Sequence, residues 1–359
     1  MNLFNHEPVD FESMSTFSHN IMEHRTPSSS LLMHLPVEIL LLMVKELRKE
    51  TPEYAFALAL TCKTLYTLII PEAPILMPLE RDILLRLLEK ESGVGSKYYF
   101  CAICHKLHRF SPSCGPLNRE HTCFNRENRY LRPCYGGTSF FLQTGGYTLG
   151  YHHARLVLNR HLYGPPRGLP LDNLTVDSVP GMVVPDWEQS WTAKVIDDEL
   201  FLRATHTIDS HGISDPALRS LVDLSCAYFI CCHVDSSCDV SALEMPRVSS
   251  SYETIRPLFA ECREQLDACV WCLTDHCTTI ERKRAPRNAV PGTRAWVQPA
   301  SMVWAITIVA YHRLGSCRSP YDWMWRSVVG ATQRTMGNWR DNRRYPVGSI
   351  RDKWLASQS

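Results

Sequence analysis

Between Pro36 and Lys45 the only charged side chain is Glu38, and Ile39 to Val44 is an unbroken apolar run. A helix lying on a domain surface shows an apolar stripe of about three positions in seven. This segment is apolar nearly all the way round, so something must cover more than one of its sides. Pro36 suits a first helical position and the helix should run to about Leu47. "RKE" is a polar break. In "TPEYAFALAL" Thr51 reads as an N-cap, Pro52 fits the first turn, and Glu53 favours the positive end of the dipole. "TCKTLYTLII" is a third short helix, stopped by Pro71. A segment as short as 35–71 seldom buries enough surface to stand alone, so the outer face of these helices needs the rest of the protein or a partner.

Beyond them, "PLERDILLRLLEKE" places Leu79, Ile83, Leu84, Leu87 and Leu88 on one side of an amphipathic helix, ended by "SGVG". Residues 98–146 are rich in Cys, Arg, Gly and Pro and suggest an irregular module. A helix is expected from about 148 to 163, stopped by Gly164 and two prolines. "WTAKVIDDELFLRATHTI" reads as strand, with Asp197-Asp198 near a hairpin turn. "LSCAYFICCHV" and "MVWAITIVAYHRLG" read as buried strands, too short to span a membrane. "YHH" at Tyr151–His153 reads as partly exposed polar surface. No repeat of 20–50 residues is evident, which disfavours solenoids and propellers. The expected class is α+β.

Composition changes this picture in two places. A formal net charge of +1 over 359 residues argues against a nucleic-acid or acidic-lipid partner. The basic clusters "ERKRAPR" (281–287) and "NWRDNRRYP" (338–346) are the local exceptions, and a solvated face is their usual meaning. Trp304, Trp323, Trp325 and Trp339 read as core or as protein-binding surface. The polar first 30 residues read as a disordered tail without a secretory pattern, so an intracellular protein, in cytoplasm or nucleus, is expected.

The fifteen cysteines are the second change. In a reducing compartment they read as thiols or metal ligands. Cys101-x-x-Cys104 lets a tight turn aim two sulfurs at one tetrahedral ion, and with Cys123 and Cys134 it makes a four-ligand zinc set. Cys114 and His121 are substitutes. A second, weaker set joins Cys231-x-His233 to Cys269-x-x-Cys272, although "SCAYFICC" reads equally well as buried strand. The repeated pairs of a RING are absent. So are the Walker, Gly-x-Ser-x-Gly, His-Glu-x-x-His and dinucleotide patterns, and no cysteine sits in a motif that would activate it. The expectation is a protein without catalytic activity.

"LPVEILLLMVKELRKETPEYAFALALTCKTLYTLI" resembles an F-box: Leu-Pro-x-Glu-Ile opening the first helix and Thr-Cys-Lys-x-Leu-Tyr in the third. The resemblance covers about residues 31–72. It implies a three-helix domain packed against the Skp-type linker subunit of SCF ubiquitin ligases, with Leu35, Pro36, Ile39, Leu40 and Met43 as linker-binding residues. "YYFCAICHKLH", "HARLVLNRHLYGPPRGLPLDNL", "CVWCLTDH" and "VAYHRLGSCRSPYDWMW" are similar to segments of a group of fungal F-box proteins. The implied organisation is a tail (1–30), the F-box (31–72), a linker helix (73–97), a Cys-rich zinc module (98–146) and a mixed α+β target-binding region (147–359). The implied role is a substrate adaptor in ubiquitin-dependent degradation. The alternative is a zinc-stabilised binding protein outside a ligase, contacting nucleic acid through its basic C-terminal segments.

Overall fold

The computed structural model describes residues 35–61, 63–70, 75–102, 105–113, 115–117, 139–141, 147–180, 188–210, 218, 222, 229–231, 233–235, 259–284, 302–329, 341 and 343–357. The tail, Trp339 and most of 98–146 lie outside them. Helices and antiparallel strands both contribute substantially, so the class is α+β. The chain divides into two compact units, one of residues 1–110 with 165–168, the other of 111–164 with 169–359. The division falls within the stretch read from sequence as a single Cys-rich module.

In the first unit, α1 (Val37–Glu50), α2 (Pro52–Ala59) and α3 (Lys63–Ile69) follow one another closely. Val44, Ala59, Leu65 and Ile69 form their shared core. Pro36 flanks the first helix instead of entering it. Thr51 stands where an N-cap should, yet its hydroxyl turns back to the Leu47 carbonyl at 3.4 Å, because α1 ends immediately before it. Helix α4 (Pro78–Lys90) is bracketed by the Met77 amide, which donates to Glu80 Oε2 at 2.7 Å. The "SGVG" stop is itself a short helical turn, α5 (Ser92–Gly95).

Strands β1 (Tyr98–Cys101) and β2 (Lys106–Arg109) then form an antiparallel hairpin. Phe56, Leu84, Leu88 and Val94 make a second core, with Tyr98 and Leu107 of the hairpin against it. The buried Glu89 carboxylate accepts the Phe100 amide at 3.2 Å, tying α4 to β1.

In the second unit, β3 (Ser139–Phe141) pairs with β4 (Thr148–Gly150), which leads directly into α6 (Tyr151–Tyr163). A 3₁₀ turn (Leu171–Leu174) precedes β5 (Val176–Pro180), β6 (Glu188–Ile196) and β7 (Glu199–Asp209). After β8 (Phe229–Cys231) and β9 (Val234–Asp235) come β10 (Cys262–Ala268), β11 (Thr274–Arg284) and β12 (Met302–Gly315). The short helices α7 (Trp323–Val329) and α8 (Ser349–Ala356) complete the chain.

Six of these strands form one antiparallel sheet in the order β10-β11-β12-β7-β6-β5. It is two three-stranded meanders joined side by side through β7 and β12. The Asp197-Asp198 turn between β6 and β7 has both residues at positive φ (52° and 60°), the conformation a two-residue hairpin demands. Because side chains alternate across a strand, one register decides both faces. Trp191, Ala204, Ala310 and His276 are paired in line across four strands and share one face, as do Ala193, Leu202, His312 and Thr274. On that face Tyr147 stacks on Trp191 at 4.3 Å.

The opposite face carries Phe201, Cys277 and Tyr311, packed with Tyr345, Ile350 and Trp354. Buried Asp275 accepts the Ile350 and Arg351 amides at 2.8 and 3.1 Å, so a strand residue caps the start of α8.

The Tyr151–His153 segment is not the polar surface its sequence suggests: all three residues are buried. Tyr151 Oη donates to the Cys317 carbonyl at 2.9 Å, and the Gly150 amide donates to His153 Nδ1 at 3.1 Å. The histidines are covered because α6 is buried along its first nine residues. No described helix is long and apolar enough to cross a membrane.

Candidate functional site

Two features stand out, one in each unit. The first is the surface of α1. Leu40 and Val44, one turn apart, point into the core. Leu35, Val37, Ile39, Leu41, Leu42 and Met43 are 37–60% exposed. Such a run of large apolar side chains on and just before one helix is costly to leave in water. Of the five residues implied as linker contacts, Leu35, Pro36, Ile39 and Met43 are exposed. Leu40 differs from them: at 6% exposure it is buried, on the same side of the helix as its i+4 neighbour Val44.

The second feature is a cluster of three cysteines and a histidine. Cys231 closes β8, and His233 follows in the turn to β9. Cys269 and Cys272 lie in the connection between β10 and β11. That connection is a tight knuckle: the Cys269 amide donates to the Thr274 carbonyl and the Thr274 amide to the Cys272 carbonyl, both at 2.9 Å. The four ligand atoms of Cys231, His233, Cys269 and Cys272 all lie within 4.8 Å of one another. Cys231 Sγ and His233 Nδ1 are 4.0 Å apart. Zinc bonds of ~2.3 Å to sulfur and ~2.0 Å to nitrogen span tetrahedral edges of roughly 3.5–3.8 Å, so a small contraction closes the site. The cysteines are buried and His233 is half-buried. The group could hold a metal ion.

Its electrostatics fit a cation. Hydrogen bonds from Cys231 and Cys272 hold the Cys269 thiol far below its ordinary range, against the opposing effect of burial. Cys272 is pushed well up, first by burial and then by Cys231 and Cys269. These opposite directions describe one fact. Buried sulfurs this close oppose one another's ionisation, so the thiol pushed down and the thiol pushed up belong to one coupled group. A divalent ion would remove that limit, since thiolate is the ligating form.

Behind the sulfurs, Thr274 Oγ1 lies 3.1 Å from Cys272 Sγ and 3.0 Å from His312 Nδ1. His312 is fully buried, and burial, with His276 nearby, lowers its pKa to about 3, so the ring is neutral. His206, on the same sheet face, is lowered to about 3 for the same first reason, with His312 adding to it. Trp191 lies between them, 5.6 Å from His206 and 6.3 Å from His312.

Only Cys101 of the other predicted zinc set is among the described residues. It is buried in β1. Cys104, Cys123 and Cys134 lie outside, as do the substitutes Cys114 and His121. It is therefore the set ranked second from the sequence that forms a described cluster, because the fold brings the turn after β8 close to the β10–β11 connection although the two belong to different sheets. Sequence reasoning did not single out Thr274 and His312. The alternation in "CLTDHC", which puts Thr274 and His276 on one face, was the available signal.

The basic stretch at the end of β11 is partly engaged. Arg282 lies 4.7 Å from the Trp304 ring centre and Lys283 pairs with Glu281 at 2.9 Å. Trp304 and Trp325 are buried, as expected of core residues. Compared with family models, with curated proteins and with solved structures, the chain matches none.

Proposed function

We propose that this chain is a non-enzymatic adaptor whose first three helices dock on a Skp-type linker subunit and whose sheet-containing unit holds a protein target for ubiquitin-dependent degradation. The observation that carries this reading is the exposed apolar face of α1, set against Leu40 and Val44 turned inward. Full burial of a Leu, Ile or Met is worth ~1.5–3 kcal/mol, so covering several half-exposed ones supplies a useful share of a binding free energy. The mechanism is proximity: holding a target near a charged conjugating enzyme raises its effective concentration without a bond formed by this chain.

In the same reading Cys231, His233, Cys269 and Cys272 hold a structural zinc ion. Three sulfurs and one imidazole are a soft, four-coordinate set, and full protein ligation leaves no open position for catalysis. The ion would fasten the β8–β9 turn to the β10–β11 knuckle. The alternative, a binding protein acting on nucleic acid, draws less support. Arg282 and Lys283 have partners within the chain, and the net charge is only +1.

The test is co-expression with a Skp-type linker, followed by size-exclusion chromatography of wild type and Ile39→Ala/Met43→Ala. A one-to-one complex with wild type that the double variant loses, with its circular dichroism unchanged, supports the adaptor reading. No complex with wild type removes it.

A further inference from the structure

The Cys272 sulfur, the Thr274 hydroxyl and the His312 imidazole form a chain of contacts at 3.1 and 3.0 Å. The register of β11 and β12 pairs Thr274 directly with His312, so both side chains stand on one sheet face. Both are completely buried, and Trp191 lies nearly parallel to the His312 ring, at 17°. The hydroxyl has one proton to give, and a metal-bound sulfur has none. Once Cys272 ligates an ion, its sulfur can only accept, and a Thr274 hydroxyl that donates to it leaves its oxygen to accept from a proton on His312 Nδ1.

We infer that Thr274 and His312 are positioning residues for a metal held by Cys231, His233, Cys269 and Cys272, with His312 Nδ1–H donating to Thr274 Oγ1 and Thr274 O–H donating to the Cys272 sulfur. The inference rests on the metal reading given above. Three thiolates and a neutral imidazole leave a divalent complex with one excess negative charge. Donors to sulfur spread that charge and fix each ligand's direction. Cys269 already has one, the Trp271 amide at 3.3 Å. The Thr274 hydroxyl gives Cys272 its counterpart.

The test uses the full chain loaded with cobalt(II) and then zinc. Wild type should show a sulfur-to-cobalt charge-transfer band. Thr274→Val, close to isosteric but lacking the hydroxyl, should move that band to lower energy. It should also weaken zinc in chelator competition by about 10–100-fold, while Thr274→Ser stays near wild type. Equal band position and affinity in Thr274→Val would overturn the inference. Should that variant not fold, nitrogen-edited spectra of zinc-loaded wild type decide the matter. A proton on His312 Nδ1 supports it, and a bare Nδ1 overturns it. Failure of wild type itself to show the charge-transfer band would instead overturn the metal reading, and this inference with it.

Discussion

Stripping the proposed metal from the 359-residue chain is the perturbation with the clearest structural consequence. An ion held by Cys231, His233, Cys269 and Cys272 closes a loop of roughly 36 residues, from His233 to Cys269. Closing a loop of that length costs ~4 kcal/mol of chain entropy. With the ion gone, that cost falls on a cluster of buried sulfurs that oppose one another's ionisation. Linkage gives a similar figure, since a ligand present at about 100–1,000 times its dissociation constant adds ~3–4 kcal/mol to the folded state. For a unit of this size each kcal/mol moves the melting temperature by about 2–4 °C, so chelation should lower it by about 6–16 °C. The assay is thermal unfolding with and without a strong zinc chelator, together with metal analysis by mass spectrometry. Restoration by added zinc, and by no added magnesium, completes the expected result. Coincident melting curves from protein that carries no metal would refute the reasoning and reduce the cluster to core thiols.

Asp275→Ala should cost about 2–3 kcal/mol, because a buried carboxylate accepting two backbone amides loses charged hydrogen bonds and α8 loses its cap. Hydrogen exchange of residues 349–356 should accelerate, and unchanged protection there would count against the capping role. His206, neutral in the fold with a pKa of about 3 against an ordinary 6.5, binds a proton more readily when unfolded. Its contribution is therefore complete above about pH 6.5 and is lost as pH falls towards 3, by up to ~1.4 kcal/mol per pH unit. Denaturation midpoints should show His206→Gln losing ~2 kcal/mol less than wild type between pH 7 and 5. Equal losses in the two proteins would mean that His206 does not titrate as described. On α1, Leu40→Ala should lower stability by about 2–4 kcal/mol, whereas Leu42→Ala should leave the melting temperature nearly unchanged, since one is buried and the other 60% exposed.

The local elements were readable because local chemistry produces them. Proline and the apolar run announce α1, and leucine spacing announces α4. Asp197-Asp198 announces the β6–β7 turn, since acidic residues tolerate positive φ better than most. The spacing Cys231-x-His233 and Cys269-x-x-Cys272 was equally visible as two halves of a site. That these halves meet is a tertiary fact. Spacing within each pair fixes what a turn can aim, but nothing in the chain's order says which pair faces which. The order β10-β11-β12-β7-β6-β5 came only from the fold, because antiparallel pairing of β7 with β12 joins strands that lie far apart in the chain, one ending at Asp209 and the other starting at Met302. It is this register that sets His312 opposite Thr274 and buries three histidines on one sheet face. The same holds for α1: its sequence shows a helix apolar all round, and only tertiary packing, with Val44 set among Ala59, Leu65 and Ile69, decides that Val44 and Leu40 are buried while Leu42 remains in water.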